Sequence, residues 1–349
     1  MAVQDLPIVL YTYPGSPFGQ RLVWYLNLRK IAFKTCLQPP ILPRRDLELL
    51  GLNYRRIPLM AIGRDIYLDT RLVIAKLETL YPASAAHPGI SATTGEQRAL
   101  EALISRVSIE FPGALFGRGA QLMPPDSAFL RDPRFVKDRN QLVAGNPAAK
   151  AFTPENLRAN RPAALVEIAR LAELLETTLL ADGRDWVFGG SGAGPSLGDI
   201  EAVFILHWLN SMKGALPADV IGPEVYPRVF AWIGRFDGHV RKIVAKPDVV
   251  KGEDAAKLIL GSGYAEESAG GLLASDPVIA AAGYKQGEVV TMWPLDQAPV
   301  NKDSGVLVAM GKEEVVIEIA SKIDGGKSVR VHAPRVGFKV VKGGASAKI

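Results

Sequence analysis

The run IVLYTYPGSPFGQRL, Ile8 to Leu22, decides how the first eighty residues fold. An apolar and aromatic stretch ends at Pro14-Gly15, Ser16 follows, and Pro17 opens PFGQRLVWYLNLRK, whose apolar residues recur near helical spacing. The first part reads as a strand and the second as a helix. Serine at N-cap with proline at the first helical position is what a helix start favours. The same place suits chemistry, because a hydroxyl beside the unpaired N–H groups and positive dipole end of a helix can stabilise a ligand thiolate. Local physics leaves both roles of Ser16 open.

Working outward, IAFKTCLQ reads as a second strand, RDLELLGL as a short helix, IPLMAIG and IYLD as strands around a GRD turn, and TRLVIAKLETLY as a helix. The order β-α-β-α-β-β-α predicts a small mixed sheet flanked by helices over residues 1–83. A module of about 80 residues is near the size at which one core becomes marginal, so it is expected to dock on the rest of the chain. The linker PASAAHPGISATTG leads into residues 94–260, where four segments carry helical spacing and strand signals are nearly absent. Between the first two of them lies MPPDSAFLRDPRFVKDRNQLVAGNPAAKAF, rich in proline and charge, read as an ordered excursion or a lid over a cleft. Beyond Gly261 five short β-type runs bounded by turn residues, from GEVVTMWPLD to VGFKVVKG, predict a small antiparallel sheet or barrel over 270–349.

Composition narrows the partners. The 349 residues, 48% hydrophobic, suffice for two or three compact units. The longest apolar stretches, such as AVFIL at 202–206, fall far short of the roughly 20 residues of a membrane span. MAVQDLP has neither a basic nor an apolar region of a secretion signal, and Cys36 is the only cysteine, so a cytoplasmic protein is expected. The net charge of +5 resides in residues 1–83, with eleven Lys and Arg against six Asp and Glu. That suits a small anionic ligand and is too sparse for duplex nucleic acid. His87, His207, His239 and His332 show no metal-ligand spacing, GGSGAG at 189–194 fits no nucleotide or nucleophile motif, and the C-terminal region has too few aromatics for base stacking.

Two further motifs have a structural and a functional reading each, and a third has a structural one only. In RRIPLM, Pro58 either marks a sheet edge or is a cis-proline that turns the Ile57 backbone outward for an extended peptide ligand. In YLDT, Asp69 and Thr70 either cap the following helix or receive the ammonium and carboxylate of an amino-acid headgroup. PSLGDI, with Ser196 three residues before Asp199, is a capping box.

In order and spacing, SPFGQR, RIPLM, YLDT and PSLGDI resemble the glutathione transferase superfamily over about Leu6 to Lys246. The resemblance implies an α/β thioredoxin-like domain at 1–83 and an all-helical domain at 94–260, with the β-rich appendage at 270–349 outside the common fold. SPF followed by arginine looks most like the serine-type classes, tau and its relatives. By that resemblance Ser16 activates the glutathione thiol, Ile57 before a cis-Pro58 pairs with the cysteinyl backbone, and Asp69 with Thr70 holds the γ-glutamyl end. Arg44, Arg45 or Arg56 meets the glycyl carboxylate. Tyr11 and Tyr13 are alternative donors to the thiol.

The implied activity is attack by glutathione, as cosubstrate, on a small hydrophobic electrophile between the domains, with Phe111 and Phe116 as candidate walls. The alternatives are a glutathione-dependent isomerase or lyase of a biosynthetic pathway, and a non-catalytic binding protein whose tail is the working surface. A homodimer is implied; nucleic acid, membrane and metal are not. NYRR stands where the family often has Asn-Pro, and the Pro-rich insertion and the tail depart from its pattern. The tail resembles that of fungal transferase-like proteins, some of natural-product pathways.

Overall fold

The computed structural model describes residues 5–110, 114–143, 151–189, 194–266, 270–296, 298–323 and 325–343. The N-terminal elements run β1 (Ile8–Thr12), α1 (Pro17–Leu28), β2 (Lys34–Leu37), α2 (Arg45–Leu49), β3 (Leu59–Ile62), β4 (Asp65–Leu68) and α3 (Thr70–Leu80). β1 pairs in parallel with β2 and antiparallel with β3, and β3 pairs antiparallel with β4. This is the mixed thioredoxin-like sheet expected of the sequence. All five residues of β1 are buried, because helices cover both faces of the strand, and its sequence is accordingly apolar up to Thr12 at its end.

Nine further α-helices are described: α4 (Gly95–Ile109), α5 (Leu115–Ala120), α6 (Ala128–Arg131), α7 (Pro133–Val143), α8 (Pro154–Leu174), which runs on into a π-helical turn at Leu175–Leu179, α9 (Leu197–Asn210), α10 (Pro227–Ile243), α11 (Gly252–Leu260) and α12 (Pro277–Ala282). α9 is buried almost all round, which is why LGDIEAVFIL shows no polar face. Its start is fixed by the predicted capping box: Ser196 Oγ accepts from the Asp199 N–H at 3.2 Å, and the Asp199 carboxylate accepts from the Ser196 N–H at 2.8 Å. The same carboxylate receives the Val187 N–H and Trp232 Nε1–H, each at 2.8 Å, which ties α9 to α10.

The proline-rich excursion folds into α6 and α7 and docks on the first domain. Asp138 accepts from the Leu42 N–H at 2.9 Å and pairs with Arg55 at 2.7 Å, and Arg139 donates to the Pro40 carbonyl at 2.7 Å.

All five C-terminal β-runs are strands: β5 (Val289–Pro294), β6 (Asp303–Met310), β7 (Glu314–Ala320), β8 (Ser328–Pro334) and β9 (Phe338–Lys342). They are antiparallel among themselves. They form the small antiparallel sheet that their sequence suggested, and that sheet joins the first domain, because β8 lies parallel to β4 through Asp65↔Arg330, Ile66↔Val331 and Tyr67↔His332. The result is one nine-stranded sheet ordered β2-β1-β3-β4-β8-β7-β6-β5-β9. The pairing satisfies the N–H and C=O groups that β4 would otherwise leave open at an edge. It also continues the core, so that Val9, Ile66 and Leu68 share a buried cluster with Val290, Leu307 and Val331.

At this seam His332, fully buried, sits between carboxylates: Nε2 is 3.0 Å from Asp65 Oδ1 and Nδ1 is 2.9 Å from Glu314 Oε2. Lys76 of α3 pairs with Glu314 at 2.5 Å and Glu266 at 2.8 Å, and the Tyr67 hydroxyl donates to Glu266 at 2.8 Å.

Candidate functional site

Register brings three of the sequence motifs to one end of the sheet. Tyr11 of β1 stands opposite Leu59 of β3, which stands opposite Leu68 of β4. Ser16 beyond β1, Ile57-Pro58 before β3 and Asp69-Thr70 after β4 therefore share that end.

Ser16 caps α1, its Oγ accepting from the Gly19 N–H at 3.1 Å, and is only 3% exposed. Gly19 is required here, since a Cβ at that position would lie 2.0 Å from Thr12 Oγ1 on the adjacent strand. The Thr12 hydroxyl has no hydrogen-bond partner among the described residues. Tyr11 is fully buried beside Cys36 and Asp46; burial first, then those two groups, push its phenol well above the ordinary range. Tyr11 therefore stays a neutral phenol, and its buried hydroxyl has no hydrogen-bond partner among the described residues.

The Ile57-Pro58 bond is cis, and neither the N–H nor the C=O of Ile57 is hydrogen-bonded among the described residues. These are the two groups an extended backbone would pair with.

Asp69 and Thr70 are already engaged. Asp69, at φ +68°, caps α3 by accepting the Arg71 N–H at 2.9 Å, and the Arg71 guanidinium grips the same carboxylate at 3.1 Å. Burial alone would raise the Asp69 carboxyl, but Arg71 outweighs it and holds the group below its ordinary value. The Thr70 hydroxyl accepts from Arg21, which also pairs with Glu201 of α9 and reaches Ser105 of α4 at 3.5 Å.

The three arginines proposed for a carboxylate differ. Arg44 is buried, and its guanidinium donates to the carbonyls of Pro39 at 3.2 Å, Pro40 at 3.3 Å and Arg55; burial lowers it to about 10. It braces its own loop. Arg56 is ion-paired with Asp296 ahead of β6. Arg45 is exposed at the start of α2, with no ionic partner among the described residues.

Sequence reasoning missed Arg21 and Arg71, which organise this end of the sheet. A signal existed for the first: Arg21 falls among the buried residues of α1, and its partner Glu201 interrupts the apolar run of α9. Two opposite charges embedded in apolar helical faces call for each other.

Phe18, two residues past Ser16, packs on Phe116 of α5 at 4.4 Å and Phe204 of α9 at 5.6 Å, and Phe116 stacks on Trp208 at 5.3 Å. An aromatic wall thus joins the two domains beside the α1 N-terminus, with Phe116 in it. Phe111 lies outside the described residues. Among those residues, one carboxylate–imidazole group has ligand atoms close enough for a metal, Glu266, Glu314 and His332, and the Lys76 ammonium already serves both of its carboxylates.

Residues 10–85 match the family described as glutathione S-transferase, N-terminal domain, and residues 118–245 match a domain of unknown function (DUF7962). No curated protein matches the sequence. Of solved structures, a GST-like protein from Pseudomonas syringae is similar at 22% identity, over 97% of this chain and 100% of that one, with a TM-score of 0.64. That alignment takes in the C-terminal strands. Rice GST1 in complex with glutathione is similar at 19% identity over 73% of this chain and 96% of its own, TM-score 0.47. A glutathione transferase homolog from Sulfitobacter with bound glutathione is similar at 15% identity over 69% and 100%, TM-score 0.45. No helix among the described residues is long and apolar enough to cross a membrane. Residues 10–85 thus match a glutathione S-transferase N-terminal domain, and the chain as a whole has the fold of a GST-like protein.

Proposed function

We propose that the chain binds glutathione at the end of the sheet marked by Ser16, Ile57-Pro58 and Asp69-Thr70, and activates its thiol for attack on a small hydrophobic electrophile. The observation that carries this reading is the pair of open groups on the path of the cysteinyl residue. Ile57 presents an unpaired N–H and C=O, and Ser16 Oγ accepts one hydrogen bond at the α1 N-terminus while keeping its own proton to donate.

In the proposed step the thiol loses its proton to water and Ser16 donates to the thiolate sulfur. The thiol pKa falls from about 8.5 toward neutrality. The thiolate then forms the S–C bond as the leaving group departs with its electron pair. The wall of Phe18, Phe116, Phe204 and Trp208 offers the electrophile an apolar surface. Asp69, ionised beside Arg71, accepts the γ-glutamyl ammonium alongside that guanidinium, and Arg45 is the arginine of the three left to meet the glycyl carboxylate. A cytoplasmic homodimer completes the proposal.

Calorimetric titration with glutathione tests the site, and absence of binding at millimolar concentration overturns it. In Ser16→Ala, turnover of an activated aryl halide is expected to fall about 100-fold with glutathione affinity little changed, the effect of removing one donor to a developing anion. The loss of the cap costs about 1 kcal/mol of stability. A second reading, a protein that binds glutathione without catalysis, draws on the near-complete burial of Ser16. Undiminished turnover in Ser16→Ala refutes the catalytic role; binding with no turnover in the unsubstituted protein selects the second reading.

A further inference from the structure

We infer that the C-terminal β unit is a working part of the glutathione site: Asp303, at the start of β6, holds the loop of residues 53–57 and so sets the Ile57 N–H and C=O where a cysteinyl backbone meets them. On the reading that places glutathione at Ile57-Pro58, Asp303 is a positioning residue and Asp296 supports it. The loop between Leu52 and cis-Pro58 has neither helical nor strand structure, and Asn53, Tyr54, Arg55 and Ile57 make no backbone–backbone hydrogen bond among the described residues. Most of its anchors lie outside the first domain. Asp303 Oδ1 accepts the Asn53 N–H at 2.6 Å, and the same carboxylate accepts the Tyr54 N–H. Asn53 Nδ2 donates to the Lys302 carbonyl at 3.3 Å, the Tyr54 ring stacks on Phe338 of β9 at 6.2 Å, Arg56 pairs with Asp296, and Ile57 packs on the buried cluster that holds Val290 and Leu307.

Tyr54 stands in NYRR where the family often has proline, and it brings an N–H that a proline lacks. Asp303 takes up that N–H, so the departure at NYRR and the C-terminal strands belong together. A charged acceptor suits the task, since hydrogen bonds to a carboxylate are shorter and about twice as strong as those to a neutral oxygen. The charge of Asp303 also depends on pH. Burial pushes its carboxyl up to about 6, against the pull of the Asn53 and Tyr54 N–H groups, so below that pH the acceptor becomes a neutral acid and its grip on the loop weakens. The charged groups on the elements around it are committed elsewhere: Arg56 and Asp296 to each other, the Lys302 ammonium over the Trp293 ring at 4.2 Å, and Asp69, beyond Tyr54, to Arg71. Met292, the partner of Asp303 on β5, is apolar.

Calorimetric titration of the full chain with glutathione from pH 5 to 7 is the test, a range in which the carboxylates of glutathione stay ionised and its thiol stays protonated. In Asp303→Asn the amide keeps one acceptor and turns a donor toward the second N–H, and the glutathione Kd at pH 7 is expected to rise about tenfold. The stoichiometry should not change, whereas partial unfolding would lower the stoichiometry and leave the affinity of the folded molecules alone. The parent is expected to weaken about fivefold from pH 7 to pH 5, the part of a tenfold coupling expressed one unit below the Asp303 value, and the variant to stay flat. A second variant at the partly exposed ion pair, Asp296→Asn, is expected to bind about threefold more weakly and serves where the buried substitution prevents folding. Parental affinity in the folded variants, or a parent whose affinity is the same at pH 5 and pH 7, overturns the role of Asp303 and leaves the glutathione site standing. A parent that does not bind glutathione at millimolar concentration overturns both.

Discussion

Arg21→Met is expected to cost about 3–5 kcal/mol, because it leaves the Glu201 carboxylate buried without its cation. Arg21 and Glu201 are 1% and 3% exposed, so water does not replace the lost partner. The same guanidinium donates to Thr70 at the start of α3 and reaches Ser105 of α4, so one side chain fastens α1, α3, α4 and α9. Its loss should lower the denaturant midpoint of the whole molecule without changing the slope. The pair as such is not expected to be worth this much. Replacing a buried ion pair by apolar groups of similar volume is often neutral, so Arg21→Met/Glu201→Leu should recover most of the loss. A single variant that unfolds with the parent, or a double variant no better than the single, contradicts this account. Thr70 supplies a readout beyond stability. With its Arg21 donor gone, the double variant should bind glutathione differently at the γ-glutamyl end even where its stability is restored.

What the sequence made legible is local. The run from Ile8 to Leu22 announces strand, cap and helix because alternation of element type, the serine and the proline all act within a few residues of one another. The Ser196 capping box and the five C-terminal strands were legible for the same reason. The β4–β8 pairing was not: it joins strands more than 250 positions apart, and a parallel partner leaves no mark in the pattern of either strand. Arg44 misled in another way. In the stretch QPPILPRR the prolines donate no N–H, and the loop carbonyls need donors from elsewhere. Arg44 turns its guanidinium back onto Pro39, Pro40 and Arg55, so a cation that reads as ligand-facing is consumed by its own loop. Arg71 does the same to Asp69 across two residues. Backbone position could be read from sequence, whereas the commitment of long side chains depended on neighbours the fold alone brings in.

His332 gives stability a dependence on pH whose sign follows from its partners. Both ring nitrogens face carboxylate oxygens, which only accept, so both must carry a proton and the ring is an imidazolium. The groups around it are Asp65 and Tyr67 of β4, Lys76 of α3, Glu314 of β7, Glu266, and Arg330 of β8, whose guanidinium donates to the Glu266 carbonyl at 2.8 Å. Burial opposes the charge, but Asp65 and Glu314 outweigh it and raise the His332 pKa. Burial likewise opposes the Glu314 carboxylate, which His332 and Lys76 hold below its ordinary value. A raised histidine contributes fully below its unfolded value of about 6.5 and loses that contribution as pH climbs through the folded value. A depressed glutamate contributes fully above about 4.3 and loses it as pH falls through the folded value. Stability should therefore be greatest between about pH 4.3 and 6.5 as far as this network is concerned, declining on the alkaline side through His332. His332→Phe is expected to cost about 3–5 kcal/mol near pH 6, where Asp65 and Glu314 lose a charged partner. The gap between parent and variant should narrow as pH rises past the folded His332 value, where the parent loses the same charge. Denaturant midpoints measured from pH 5 to 9 decide it, since curves that run parallel across that range would falsify a charged His332. A ring proton resonance of His332 titrating above 6.5, with exchange of the β4–β8 amides quickening over the same interval, ties the effect to the seam between the two halves of the sheet.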